Sequence, residues 1–114
     1  MPHEDGNRAY LYDMLEAPER IARFISGKSG DDFEKDDLLR SAVERQIEII
    51  GEAARRISPE FRELHSEIPW RPVIAQRHIL AHEYGEVQHD LIWRVATIHV
   101  PALRIQLITL QNEP

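Results

Sequence analysis

The sequence predicts an all-α protein, an antiparallel bundle of about five helices with a long second helix and a kinked C-terminal helix. Three observations carry that prediction. Apolar residues recur at three- and four-residue spacing almost throughout, no strand-like pattern competes with them, and only 5 glycines occur in 114 residues, so connections are short.

The first helix is expected from about Asn7 to Ile25, with Leu11, Leu15, Ile21, Ala22 and Ile25 facing inward. Pro18 removes one backbone donor and crowds the carbonyl of Met14, which predicts either a kink, the favoured outcome, or two shorter helices meeting near Ala17. Ser26-Gly27-Lys28-Ser29-Gly30 is the flexible connection that follows. The second and longest helix runs from Phe33 or Glu34 to Ile57, its apolar stripe made of Leu38, Leu39, Ala42, Val43, Ile47, Ile50, Ala54 and Ile57. Asp31, Asp32, Asp36 and Asp37 complement the positive end of its dipole, and Arg55 and Arg56 the negative end.

Ser58-Pro59-Glu60-Phe61 reads as an N-cap with proline at the first helical position, opening a short third helix to about Leu64. Pro69 or Pro72 opens a fourth helix with apolar Val73, Ile74, Ile79 and Leu80, and Gly85 is its expected C-cap. The fifth helix spans roughly Gln88 to Leu110 and carries Leu91, Ile92, Val95, Ile98, Leu103, Leu107 and Leu110, with a bend at Pro101.

This length suits a single domain over residues 1–114, with one core and some apolar surface left for a partner subunit. Charged residues make up 30% and hydrophobic residues 42%, and no apolar run approaches the roughly 20 residues of a membrane span. The N-terminus lacks the pattern of a secretory signal and the sequence contains no cysteine, so a cytoplasmic protein without disulfides is expected. A net charge of −6 opposes broad adhesion to nucleic acid but leaves room for a locally basic cleft.

The chemistry concentrates in Arg77-His78-Ile79-Leu80-Ala81-His82-Glu83-Tyr84, closed by Gly85. A guanidinium donates two hydrogen bonds to one phosphate, and an imidazole moves protons near neutral pH. Arg77 and His82, five residues apart, lie on neighbouring faces of a helix and can flank one cleft. Each also has a plainer reading, Arg77 as a surface ion-pairing residue and His82 as a C-terminal helix cap.

His78 and His82 form an i, i+4 pair that could hold a metal from one helix face. A zincin needs His-Glu-x-x-His, whereas His82-Glu83-Tyr84-Gly85-Glu86 ends in glutamate, and Glu-x-x-His occurs only at Glu86-Val87-Gln88-His89. Glu44, Glu48 and Glu52 form a carboxylate stripe with Arg40, Arg45, Arg55 and Arg56 nearby, read as a solvated ion-paired face or a partner surface. Trp70 and Trp93 read as packing residues. His3, His65, His89 and His99 have no second ligand at metal spacing.

The run Arg77, four residues, His82, one residue, Tyr84 resembles the Arg-x4-His-x-Tyr signature of the HepT-like toxins, the HEPN half of MNT–HEPN toxin–antitoxin pairs. Leu39 to Ala54, containing Ile50-Gly51-Glu52-Ala53, resembles that family's long second helix, and Ile68-Pro69-Trp70-Arg71 resembles the stretch before its motif. The similarity extends from about Tyr10 to Leu110. His78 departs from the asparagine that commonly follows the arginine.

The resemblance implies a homodimeric, metal-independent endoribonuclease without a cofactor, its paired motifs lining a cleft between subunits. Arg77 and His82 are then catalytic, Arg77 holding the scissile phosphate and His82 serving as acid or base, with His78 as an accessory group. The substrate is tRNA or mRNA. The partner is a minimal nucleotidyltransferase antitoxin that places AMP on Tyr84 and forms a hetero-oligomer with the toxin. Two rivals stand beside this reading: a non-catalytic HEPN module binding nucleotide or the nucleotidyltransferase, and a metal-dependent hydrolase using His78 and His82.

Overall fold

The computed structural model describes residues 2–81 and 87–112, with side chains for 6–76 and 89–112. Helix α1 (Pro2–Ile25) is a single α-helix that continues across Pro18, where the expectation allowed a kink or two shorter helices. Met14, Ala17, Pro18 and Ile21 are buried, Leu11, Leu15 and Ile25 half-buried. Ala22 is exposed, contrary to expectation, because it lies about 100° round the axis from Ile21, beyond the edge of the buried stripe.

The long second helix of the prediction is two helices, α2 (Gly30–Lys35) and α3 (Asp37–Arg56). Ser29 and Asp32 form a capping box at the start of α2, the hydroxyl accepting from Asp32 N at 3.1 Å and the carboxylate accepting from Ser29 N at 2.9 Å. Asp36 adopts φ −112° and ψ 97°, ends α2, and caps α3 by accepting from Leu39 N at 3.0 Å. The break has a packing reason. In one continuous helix Phe33 would fall roughly 80° from the centre of the Leu39–Val43–Ile47–Ile50 stripe; with the break, Phe33 is 1% exposed and stacks on Trp93 at 5.1 Å. Leu38, expected in the stripe, is 81% exposed.

The short helix α4 (Pro59–Leu64) starts as expected, with Ser58 Oγ accepting from Phe61 N at 3.3 Å. Helix α5 (Trp70–Ala81) opens directly after Pro69. The C-terminal rod comprises α6 (Val87–Arg94), a π-helical turn (Val95–His99) and α7 (Val100–Gln111). The bend expected at Pro101 takes the form of that π turn, which ends two residues upstream at His99. Pro101 has no N–H for the carbonyl of Thr97, and the register widens so that Val100 N donates to Val95 O.

Helix α1 packs chiefly on α3, α3 on α5, and α7 on α1, while α2 braces α6. Met14, Ile21, Val43, Ile47, Ile50, Ile57, Ile92, Val100 and Leu107 form the buried centre. No strand occurs among the described residues, and the bundle measures 46 × 28 × 20 Å. Leu91 and Ile98, expected in the core, are 36% and 58% exposed. The rod carries aliphatic residues on two opposite faces, and only the face of Ile92, Val95, Leu103 and Leu107 meets the bundle.

Candidate functional site

Helix α5 delivers the first half of the motif, and its N-terminal end is firmly held. Trp70 is 7% exposed, donates from Nε1 to His65 O at 3.0 Å, and meets Phe61 edge-on at 6.3 Å. Val73 is buried one turn later, and α5 packs on α3. Positions 70, 73 and 77 follow one another at i, i+3 and i+7, so the backbone of Arg77 continues the register line of Trp70 and Val73. Arg77 lies seven residues beyond Trp70, about 10 Å further along α5 and away from α4.

His82, Tyr84 and the expected C-cap Gly85 lie outside the described residues, as do the side chains of Arg77 and His78. The proposed Arg77–His82 pairing and the His78–His82 metal spacing therefore fall outside them too. So does the side chain of His3.

The carboxylate stripe on α3 is resolved into ion pairs. Arg45 Nη1 meets Glu48 Oε1 at 2.6 Å, while Arg55 and Arg56 converge on Glu52 Oε2 at 2.7 and 2.9 Å. Hydrogen bonds from Arg55 and then Arg56 pull the Glu52 carboxyl down from 4.5 to about 2. Glu44 and Glu52 are half-buried and Glu48 exposed, so the stripe is not a uniform solvated face. Arg40 is tied down by Asp37 and by the carbonyls of Phe33 and Glu34. Its charge serves the α2–α3 junction.

The remaining histidines serve or border local structure. His65 stacks on Phe61 at 4.5 Å with Nδ1 3.5 Å from Glu67, His89 is half-buried, and His99 is exposed on the π turn. Trp93 packs on Phe33 and also on Gly30, where an added Cβ would stand 3.4 Å from Trp93 Nε1. Both tryptophans are packing residues, as the sequence suggested. Among the described residues, no group of three or more His, Cys, Asp or Glu side chains is placed to hold a metal ion.

Two concavities escaped the sequence reading. A groove of about 880 Å³ runs between α1, α4 and α7, lined by Leu11, Leu15, Phe61, Leu64, Leu107 and Leu110 among others. A second, of about 760 Å³, lies where α4 meets α5 and includes Arg62, Trp70 and Arg71. Both are at the Trp70 end of α5. Periodicity marked Leu11, Leu15, Leu107 and Leu110 as inward-facing, and had no means of showing that the space beside them stays open.

The helical order and the placement of Arg77 on the last turns of α5 define the class: an all-α, HEPN-like bundle. The chain belongs to the HepT-like family, whose model, described as Ribonuclease HepT-like, matches residues 14–110. It is 39% identical over 100 residues to "Putative RNase TTE0752" of Caldanaerobacter subterraneus subsp. tengcongensis, covering 88% of this chain and 89% of the relative. It is 38% identical over 99 residues to "Probable ribonuclease HepT" of Thermococcus cleftensis, with 87% and 90% covered. A Methanocaldococcus jannaschii relative, "Putative RNase MJ1380", is 35% identical over 97 residues, with 85% and 89% covered. No solved structure matches the chain.

Proposed function

We propose that this protein is a metal-independent endoribonuclease toxin of a toxin–antitoxin pair, acting as a homodimer on tRNA or mRNA. The observation that carries the reading is the order Arg77-x4-His82-x-Tyr84, lying within a family match that spans residues 14–110. The names of the relatives point to RNA cleavage as well.

RNA carries its own nucleophile. The ribose 2′-oxygen attacks the adjacent phosphorus, the bond to the 5′-oxygen breaks, and the proton lost by the 2′-hydroxyl ends on the departing 5′-oxygen. His82 takes one of these protons or supplies the other. Arg77 donates a pair of hydrogen bonds to the non-bridging oxygens, where negative charge grows. His78 stands beside Arg77 as an accessory polar group. DNA lacks the 2′-hydroxyl and is not cut by this route.

Tyr84 is the control point. A minimal nucleotidyltransferase antitoxin would join the Tyr84 oxygen to the α-phosphorus of ATP, with pyrophosphate leaving and the phenolic proton passing to solvent. Each AMP brings negative charge beside Arg77 and His82 and excludes RNA without unfolding the bundle. For a chain of net charge −6, RNA binding then requires a cleft that is positive locally.

The test is incubation of purified, unmodified protein with total RNA in EDTA, beside His82→Ala, followed by sequencing of the fragment ends. Cleavage in EDTA that depends on His82 and leaves 2′,3′-cyclic phosphates is the expected result. No cleavage by folded protein would reject the nuclease in favour of a binding module, and cleavage abolished by EDTA would favour a metal-dependent hydrolase.

A further inference from the structure

Arg23, Arg40, Arg45, Arg55, Arg56 and Arg104 each meet an aspartate or a glutamate. Arg62 and Arg71 pair with no acid among the described residues, although the chain carries 20 acidic residues against 14 basic ones. Both line the concavity of about 760 Å³ where α4 meets α5. Arg62 is half-buried, and its Nε is shut off from water without a hydrogen-bond partner, which is uncommon for a donor in a folded protein. Arg104 Nε is shut off in the same way, but that guanidinium faces Glu19 at 3.7 Å. Arg71 is exposed. Glu63 is the one acid among the described lining residues, so this wall is net positive in a chain of net charge −6.

We infer that this concavity binds a backbone phosphate of single-stranded RNA outside the cleavage motif. Arg62 and Arg71 donate to the phosphate oxygens, and Pro69, Pro72 and Ile74 carry the adjoining sugar and base. The inference rests on the ribonuclease reading given above and says where the substrate strand is held away from the bond that is cut. A guanidinium fork matches a phosphate, and a half-buried arginine has less freedom to lose when it binds one. The volume suits a nucleotide unit better than a lone ion, since small-molecule sites are about 300–1,000 Å³.

The site also lies in line with the motif. The α5 residues in its wall include Arg71, Ile74 and Ala75, neighbours on one helix face. Position 78 follows Arg71 by seven residues, about 10 Å along the axis and within about 20° of the same line, so the backbone of His78 continues this face into the motif. A strand that leaves the motif along α5 therefore reaches the two arginines. An acidic segment of a partner protein would answer the same charges, but gives no reason for them to fall in line with the motif.

The probe is a short, fluorescein-labelled 2′-O-methyl RNA of mixed sequence, which has no free 2′-hydroxyl and stays intact while anisotropy is read in EDTA over a series of salt concentrations. Arg62→Gln and Arg71→Gln should each weaken binding across sequences and lower the slope of log affinity against log salt by about 0.7, the pair by about 1.4. Arg71 is exposed, so Arg71→Gln carries the test even if Arg62→Gln fails to fold. Arg62→Lys keeps the charge and should keep the slope. Arg8→Gln removes the same charge from the groove between α1, α4 and α7 and should leave the slope native. On cleavable RNA the paired Gln variant should raise KM with little change in kcat, because the contact is the same before and during cleavage. The site is overturned if the Gln variants keep the native slope, or if Arg8→Gln lowers it as much. It is also overturned if the Gln variants bind RNA normally and instead lose modification by the nucleotidyltransferase, which would give the concavity to a protein. RNA cleavage in EDTA separates the two claims. Cleavage with an unchanged slope in the pair sinks the site alone, probe binding that needs both arginines without any cleavage sinks the nuclease alone, and a native chain that neither binds nor cleaves sinks both.

Discussion

Asn7 and Ser58, 51 residues apart, exchange two hydrogen bonds: Asn7 Nδ2 donates to Ser58 Oγ at 3.1 Å, and Ser58 N donates to Asn7 Oδ1 at 3.0 Å. Asn7 is 6% exposed, and Ser58 is at the same time the N-cap of α4. The pair fastens the start of α1 to the end of α3. Further along, Arg20 Nη1 near the end of α1 donates to Gln46 Oε1 in the middle of α3 at 3.4 Å, so the two helices run antiparallel.

Asn7→Ala removes both bonds and leaves the half-buried Ser58 N without its acceptor, whereas Ser58→Ala removes the one to Ser58 Oγ and leaves the buried Asn7 Nδ2 unpaired. Asn7→Ala should lower the unfolding free energy by about 1–3 kcal/mol, and Ser58→Ala by a similar amount because the α4 cap is lost with it. Urea denaturation of both single variants and the double variant should show a coupling of about 0.5–3 kcal/mol between them. Strict additivity would mean the two residues act separately.

Phe33 is the anchor of α2. Its ring is buried against Trp93, and the Asp36 break exists to let it face inward alongside the α3 stripe. Phe33→Ala should cost about 3–5 kcal/mol and weaken the hold of α2 on α6. Asp36→Ala should cost about 1 kcal/mol through the lost cap. Thermal and urea unfolding check both, and the larger loss must fall on Phe33.

Ser58-Pro59 made the start of α4 legible and Pro69 or Pro72 narrowed the start of α5, whereas α1 opens at Pro2 rather than about Asn7 and runs on through Pro18. Asp36 was ambiguous. Beside Asp37 it reads equally well as a charge complementing a helix dipole or as a cap, and only the packing of Phe33 decides. The C-terminal rod misled for a different reason: periodicity counts aliphatic residues without showing which face is covered, so Leu91 and Ile98 merged with the core. The motif was legible as chemistry, since Arg77, His82 and Tyr84 within eight residues suit a phosphate. A spacing of five fixes their relative direction only while a helix runs through both, and the described α5 reaches Ala81.

Glu52 should titrate abnormally. Its carboxyl is pulled from 4.5 to about 2 by hydrogen bonds from Arg55 and Arg56, so the ionised form is favoured in the folded chain. The stabilisation it contributes is fully present above pH 4.5 and is lost as the pH falls towards about 2. All three side chains are substantially exposed, which keeps the effect on overall stability small. A carbon-13 NMR titration of the Glu52 carboxyl should find a midpoint well below 4.5, returning towards 4.5 in Arg55→Ala/Arg56→Ala.

Arg77→Lys separates charge from geometry. Lysine keeps the positive charge but cannot donate the paired, planar hydrogen bonds of a guanidinium to one phosphate. If Arg77 binds the phosphate through that fork, cleavage of RNA should fall by up to about 100- to 1,000-fold, the range for loss of one aligned charge-stabilising donor. The helical circular dichroism should stay native. Full activity in the lysine variant would reduce Arg77 to a source of local positive potential.

Tyr84→Phe tests control independently of cleavage. Phenylalanine preserves the ring but has no oxygen to carry AMP, so the variant should cut RNA at near the native rate and inhibit growth even when the nucleotidyltransferase is co-expressed. The native chain should lose cleavage on incubation with that enzyme and ATP, and should gain the mass of AMP in the peptide containing Tyr84. Silencing of Tyr84→Phe by the same enzyme would place the modification on another residue. Loss of RNA cleavage in unmodified Tyr84→Phe would instead make the phenol part of the cleaving site. The two outcomes are read in separate assays, growth for the first and fragment formation for the second, so control and catalysis at this residue cannot be mistaken for each other.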